Sequence, residues 1–145
     1  VVRESGWQVT TAGVSHFGPQ LVSYGFRLDS AEGSFVYSGD SGPCASMERL
    51  AQDCDVLVHM CQYLSGTELG PEFAQSCMGH IELARLAQKA NVKSVVVTHV
   101  TEQIDQPGVR ERLVREMAQH YEGNIIFGED LMEIPVLGPQ AAKLM

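Results

Sequence analysis

Two hydrophobic rhythms divide the chain. In the first third, apolar residues alternate with polar ones over short runs. Val9–Val14 and Leu21–Leu28 read as strands separated by a turn around Gly18-Pro19. Ser34–Ser38 reads as a third strand, entered through the turn signal Ala31-Glu32-Gly33. These three runs predict an antiparallel meander. The period then lengthens. Met47, Leu50, Ala51 and Cys54 fall at i, i+3, i+4 and i+7, which predicts a short amphipathic helix after Pro43. Asp55–His59 is a compact apolar strand, and Cys61 to Met78 reads as irregular. A helix follows from His80 to about Ala90, with Asn91 at its end. Ser94–Thr98 is a β-branched run of the kind buried on both faces. Pro107 opens another helix with an apolar stripe through Val109, Leu113, Val114, Met117 and Tyr121, ended by Gly123. Asn124–Phe127 reads as a strand, Met132–Val136 as a last one, and Leu137–Met145 as a loosely held tail. Strands alternating with helices in the second part imply parallel pairing, so the class is α/β.

The length of 145 residues fits a single domain over residues 1–145. Hydrophobic residues make up 44% and charged residues 19%, too apolar for disorder. Ten Lys and Arg against 18 Asp and Glu leave a net charge of -8. That balance opposes free-standing binding to nucleic acid and docking to an anionic membrane surface. No apolar run is long enough to span a bilayer. The four cysteines, Cys44, Cys54, Cys61 and Cys77, lack CxxC spacing. Reduced thiols in a cytoplasmic protein are expected.

Three of the strands lead into residues of ligand or acid–base type: Asp40 after the run ending at Gly39, His59 after Val58, and His99 after Thr98. Ligands of open α/β sheets bind beyond the carboxyl ends of the strands, so these side chains are candidates for one rim. His80 opens the helix that leads into the strand before His99. An Asp in a Ser-Gly-Asp-Ser-Gly turn is equally a turn former, and a lone His after a strand is equally a rim residue. His16 and His120 read as structural or exposed. No serine sits in a GxSxG elbow, no Gly-rich loop joins a first strand to a helix as a flavodoxin-like domain would require, and nothing marks Cys61 or Cys77 as a thiolate.

The ordered set of segments carries more than any one residue. His16 with Tyr24–Leu28 (YGFRL), Phe35–Pro43 (FVYSGDSGP), Asp55–His59 (DVLVH), Gly79–Val92 (GHIELARLAQKANV), Ser94–Val100 (SVVVTHV) and Asn124–Val136 (NIIFGEDLMEIPV) resemble, in order and spacing, the C-terminal half of the metallo-β-lactamase superfamily. The likeness is to its ribonuclease Z-like and arylsulfatase-like branch. It implies half of an αββα sandwich: a mixed sheet with antiparallel N-terminal strands and helices on one face. By the same resemblance Asp40 is the carboxylate that bridges two zinc ions, His99 a ligand of the second zinc, and His80 a proton donor beside the scissile bond. The family's glutamate after the strand ending at His59 is replaced here by Met60, so His59 is read as structural.

The family's HxHxDH loop is absent, since no two of the five histidines are separated by one residue. The resemblance therefore implies that the N-terminal half lies outside this sequence. The expected activity is that of part of a zinc-dependent hydrolase acting on a phosphodiester or another ester, inactive alone. The alternative is a non-catalytic, self-associating module of the same ancestry. Either way one sheet face is left apolar and uncovered, which calls for the missing half or a second copy packed sheet to sheet. With Asp40 and His99 as the ligands, weak or absent zinc binding is expected of this chain alone.

Overall fold

A computed structural model describes residues 1–136. Seven strands form one sheet in sequential order: β1 (Val2–Glu4), β2 (Trp7–Val14), β3 (Ser23–Ser30), β4 (Gly33–Tyr37), β5 (Val56–Met60), β6 (Ser94–Thr98) and β7 (Asn124–Phe127). The first four pair antiparallel and the rest parallel. The change of sense follows the connections. Tight turns join β1 to β2 and β3 to β4, whereas helices carry the chain back between the later strands. Those helices are α1 (Ala45–Ala51), α2 (Pro71–Ser76), α3 (His80–Lys89) and α4 (Val109–Met117).

The expected α/β class and mixed sheet are what the chain forms. Ser94–Thr98 and Asn124–Phe127 are strands with the expected bounds. Asn91 takes a left-handed φ of 52° one residue past the α3 cap, and Val92 N–H reaches back to Ala87 O, which closes the helix end. Four expectations need correction. Strand β1 went unread, because three residues before a turn carry no periodic signal. The stretch Cys61–Met78 contains α2, started by Pro71 at its first turn. Helix α4 begins after Pro107, where Gly108 N–H donates to the Glu111 carboxylate at 2.5 Å, and stops at Met117 well before Gly123. Residues 132–136 form no strand. Ile134 and Pro135 instead line a hollow at the amino ends of β5 to β7, where Pro135 has no N–H to offer a ladder. The tail expected from Leu137 lies outside the described residues.

The sheet has two unlike faces. Val36, Leu57, Val95 and Val97 point to one side and pack with Met47, Leu50, Leu83, Leu113 and Met117 from the helices. Residues one step along each strand point the other way. Thr11, Phe26, Tyr37, Val58, Val96 and Ile126 form one rung across that second face, and Val9, Leu28, Phe35 and Val56 lie on the next. Here Phe26 is 47% and Tyr37 45% exposed, with Tyr24, Leu28 and Trp7 also open. Among the described residues no helix is long and apolar enough to cross a membrane.

Candidate functional site

The site is built on loops at the carboxyl ends of β4 and β6. Strand β4 continues through Ser38, whose N–H donates to Val58 O at 3.0 Å. Gly39 then turns at φ 56°, with Tyr24 O so close that a Cβ would sit 2.8 Å from it. Only glycine tolerates both conditions. The turn delivers Asp40. Ser41 N–H donates to the Met60 thioether at 2.9 Å, and Gly42 N–H to Ser15 O at 2.7 Å. A Cβ on Gly42 would lie 2.3 Å from Gln75 O, so the backbone of this loop packs directly on the end of α2. Asp40 is thereby clamped from both sides. Met60, standing where the resembling family has glutamate, holds this loop through its sulfur.

Two imidazoles meet the Asp40 carboxylate. His99 Nε2 lies 3.4 Å from Oδ1, and His16 Nε2 lies 3.8 Å from Oδ2. Each oxygen therefore faces a different ring. His16 Nδ1–H donates to Ser76 O at 2.7 Å, which fixes the tautomer and turns the Nε2 lone pair toward Asp40. His99 leaves β6 in a left-handed conformation, φ 50°, and Gln62 Nε2–H donates to its carbonyl at 2.8 Å. A non-glycine residue held there is strained, and such strain persists where surrounding structure enforces it. His16 is mostly covered, whereas Asp40 and His99 are about half exposed, at 49% and 55%. The site is a shallow rim.

Asp40 and His99 are thus neighbours, as the strand ends imply. The sequence reads His16 as structural or exposed, yet the topology brings it to the same rim. Strands β2 and β4 run the same way with β3 between them, so the loop after β2 must open at the rim that holds Asp40.

His80 and His59 are placed elsewhere. His80 is 1% exposed, and both its ring nitrogens are engaged. Nδ1 accepts from Ser65 N–H at 2.9 Å, so the proton sits on Nε2, which donates to the Glu116 carboxylate at 2.7 Å. Arg112, with His80 adding to it, holds Glu116 below the usual carboxylate range. His80 joins the 63–66 loop to α3 and α4, and the proton-donor expectation finds no free nitrogen here. His59 is fully buried on the helix side of the sheet. Its Nδ1–H donates to Met60 O at 2.9 Å, and Nε2 has no hydrogen-bond partner among the described residues. Burial pushes its pKa down to about 4. The cysteines are all unpaired. Burial pushes Cys61 up to about 12, and burial together with the Asp40 charge raises Cys77, which removes both as thiolates.

Among the described residues no group of three or more His, Cys, Asp or Glu is arranged to hold a metal by itself. One of the two pairwise spacings is nonetheless that of two ligands on one ion. Two ligands of a tetrahedral zinc, each at about 2.0–2.1 Å, lie roughly 3.3–3.5 Å apart. The Asp40–His99 separation of 3.4 Å matches that edge, and 3.8 Å for His16 is a little longer. A carboxylate with one imidazole per oxygen offers two donors to each of two cations.

Comparison with known proteins gives a consistent result. The profile of the β-lactamase superfamily domain matches residues 1–100. Ribonuclease Z from Methanosarcina acetivorans is 32% identical over 104 residues, covering 71% of this chain and 32% of the relative. Ribonuclease Z from a Mycobacterium species is 32% identical over 123 residues, covering 81% and 43%. Among solved structures, the metallo-β-lactamase fold protein YhfI from Bacillus subtilis superposes with a TM-score of 0.72 at 19% identity, over 88% of this chain and 49% of that one. The short form of human tRNase Z superposes with a TM-score of 0.69 at 16% identity, over 94% and 46%. The chain spans less than half the length of each of these proteins. By sequence and by fold, it belongs to the metallo-β-lactamase superfamily as a ribonuclease Z-like member.

Proposed function

We propose that this chain supplies the C-terminal half of the active site of a metal-dependent hydrolase that cleaves a phosphodiester or another ester. The observation that carries the reading is the Asp40 carboxylate with one oxygen toward His16 and the other toward His99. In this reading Asp40, His16 and His99 would hold the zinc, one imidazole facing each oxygen of the carboxylate. Bound zinc would supply a water acidic enough to act as nucleophile near neutral pH and would polarise the ester oxygen. The chain's own part is positional. Gly39 and Gly42 let the loop bring Asp40 to the rim, Ser76 O fixes the His16 tautomer, and Gln62 holds the His99 backbone. His80 enters as a positioning residue for the 63–66 loop.

Two donors per cation fall short of the three protein ligands usual at catalytic zinc. The remaining ligands, and the cover for the open sheet face, are assigned to a further half of the protein. The coverage of roughly half of each structural neighbour supports that division. The exposed Tyr24, Phe26, Leu28 and Tyr37 also support a second reading, in which two copies pack sheet to sheet without catalysis. A reducing location such as the cytoplasm fits four unpaired thiols.

Zinc titration followed by calorimetry, with light scattering for mass, tests the proposal. Weak zinc binding is expected for this chain, with loss in Asp40→Ala and partial loss in His16→Ala and His99→Ala. Zinc affinity unchanged by Asp40→Ala would overturn it. A stable dimer without zinc affinity would establish the second reading.

A further inference from the structure

Among the described residues, the rim around Asp40 lacks the charges a polyanion needs. The loops 15–22, 38–44, 61–70, 99–108 and 128–131 open at one end of the sheet. They contain no Lys or Arg, while they carry Asp40, Glu68, Glu102, Asp105, Glu129 and Asp130. Arg110, in the first turn of α4, is already committed to Asp105 and Glu129 and lies 4.5 Å over the Phe127 ring. Phosphate backbones are held by Lys and Arg, and their affinity falls with every cation removed.

The same rim carries apolar surface next to a proposed ligand. Phe17 follows His16 and meets its ring edge-on, centroids 4.7 Å apart. Its backbone is held at φ 40°, a left-handed conformation that few non-glycine residues adopt. Phe17 forms one wall of a groove of about 510 Å³, completed by Leu69, Gly70, Pro71, Glu72 and Phe73. Leu69 is 88% exposed, and Phe73 packs on Tyr63 at 5.6 Å between ring centroids. That volume falls in the range of small-molecule sites, about 300–1,000 Å³. An acidic rim with an apolar groove is complementary to an uncharged group and repels a polyanion.

We propose that the Phe17–Leu69–Phe73 groove, whose Phe17 wall meets the His16 ring, seats the uncharged aryl or alkyl group of a small ester. This deepens the hydrolase reading and rests on it for the identity of the scissile bond. The groove itself is testable without metal, on the chain as it stands. Amide NMR shifts would be followed with methyl benzoate as the neutral aryl ester, phenyl phosphate as the anionic aryl compound, and a short single-stranded RNA.

Methyl benzoate is expected to shift residues 17 and 69–73, and its binding to weaken about tenfold in Leu69→Ser. Leu69 is so exposed that this variant keeps its fold; Phe17→Ala is the second variant. Phenyl phosphate should bind more weakly than methyl benzoate, and RNA should leave these residues unshifted. Binding of RNA or phenyl phosphate at these residues as strong as that of methyl benzoate would overturn the proposal. So would methyl benzoate shifts indifferent to both variants. Asp40→Ala separates the two readings, since it removes zinc binding and leaves methyl benzoate binding intact. Should the wild-type chain bind methyl benzoate in the groove while Asp40→Ala leaves zinc affinity unchanged, the hydrolase reading alone falls.

Discussion

The two faces of the sheet use the same strands for opposite ends. On the helix-covered side, Leu57, Val95 and Val97 are fully buried, and even two imidazoles, His59 and His80, are packed away from water. On the other side, one residue along, Phe26, Leu28 and Tyr37 stand in solvent. Both sets are apolar, so hydropathy alone does not distinguish them. What differs is whether the chain folds back over them. The covered face is a finished core. The open face is apolar surface that the described residues leave uncovered, and leaving several large side chains wet forgoes roughly 1.5–3 kcal/mol apiece.

Substitutions that probe the two faces should separate cleanly. Leu57→Ala on the covered face should cost about 2–5 kcal/mol by urea denaturation, through lost burial and the cavity left behind. A cost below about 1 kcal/mol would mean that the covered face is not packed as described.

The next effect is in pH. His59 has a folded pKa of about 4 against an ordinary 6.5. Above pH 6.5 both states are neutral there and nothing is lost. As pH falls from 6.5 toward 4 the unfolded chain takes up the proton and the folded chain does not, so stability should decline by about 3 kcal/mol. His59→Leu should flatten that decline in denaturation curves at pH 7 and pH 5. An unchanged slope would place the sensitivity elsewhere.

Asp55 acts with the same sign in a lower pH window. Burial pushes its carboxyl up, but Lys93, at 2.5 Å, and the N–H and hydroxyl of Ser34 bring it below its ordinary value. Its contribution is present above the unfolded pKa and lost as pH falls through the folded one. Asp55→Ala strands the buried Ser34 donors and should cost about 2 kcal/mol at pH 7. Retention of full stability would show that the Ser34 donors find other partners.

The smallest effect belongs to the open face. Leu28→Ser should change the stability of this chain by about 0.5 kcal/mol or less. It should also reduce binding of a hydrophobic dye. A large destabilisation would mean that this face is already covered, most simply by a second copy.

Element type was legible wherever a periodic run was long or β-branched. Ser94–Thr98 and Asn124–Phe127 are strands with the bounds their residues imply. Short pieces were not legible. Val2–Glu4 pairs because Trp7 and Gln8 offer it an edge, and α2 forms where Pro71 starts a turn inside a Gly-rich stretch. Met132–Val136 has strand-like composition, yet Pro135 and the lack of a pairing partner leave it off the sheet. At the site, Asp40 and His99 could be named from strand ends, since chain direction alone fixes which rim they reach. The ring beside Asp40 belongs to His16, while His80 is held by Ser65 and Glu116.

The amino-acid order by itself determined the α/β class, the change from antiparallel to parallel pairing and the apolarity of both sheet faces. These depend on local period, connection length and composition, which are properties of neighbours along the chain. The tertiary structure alone decided which imidazoles meet the Asp40 carboxylate, which histidine is sealed without a partner for Nε2, and which apolar face stays open. Those depend on distances of a few ångströms between residues far apart in sequence, such as His16 and Ser76 or His80 and Glu116, and such distances are set only when the helices pack on the sheet.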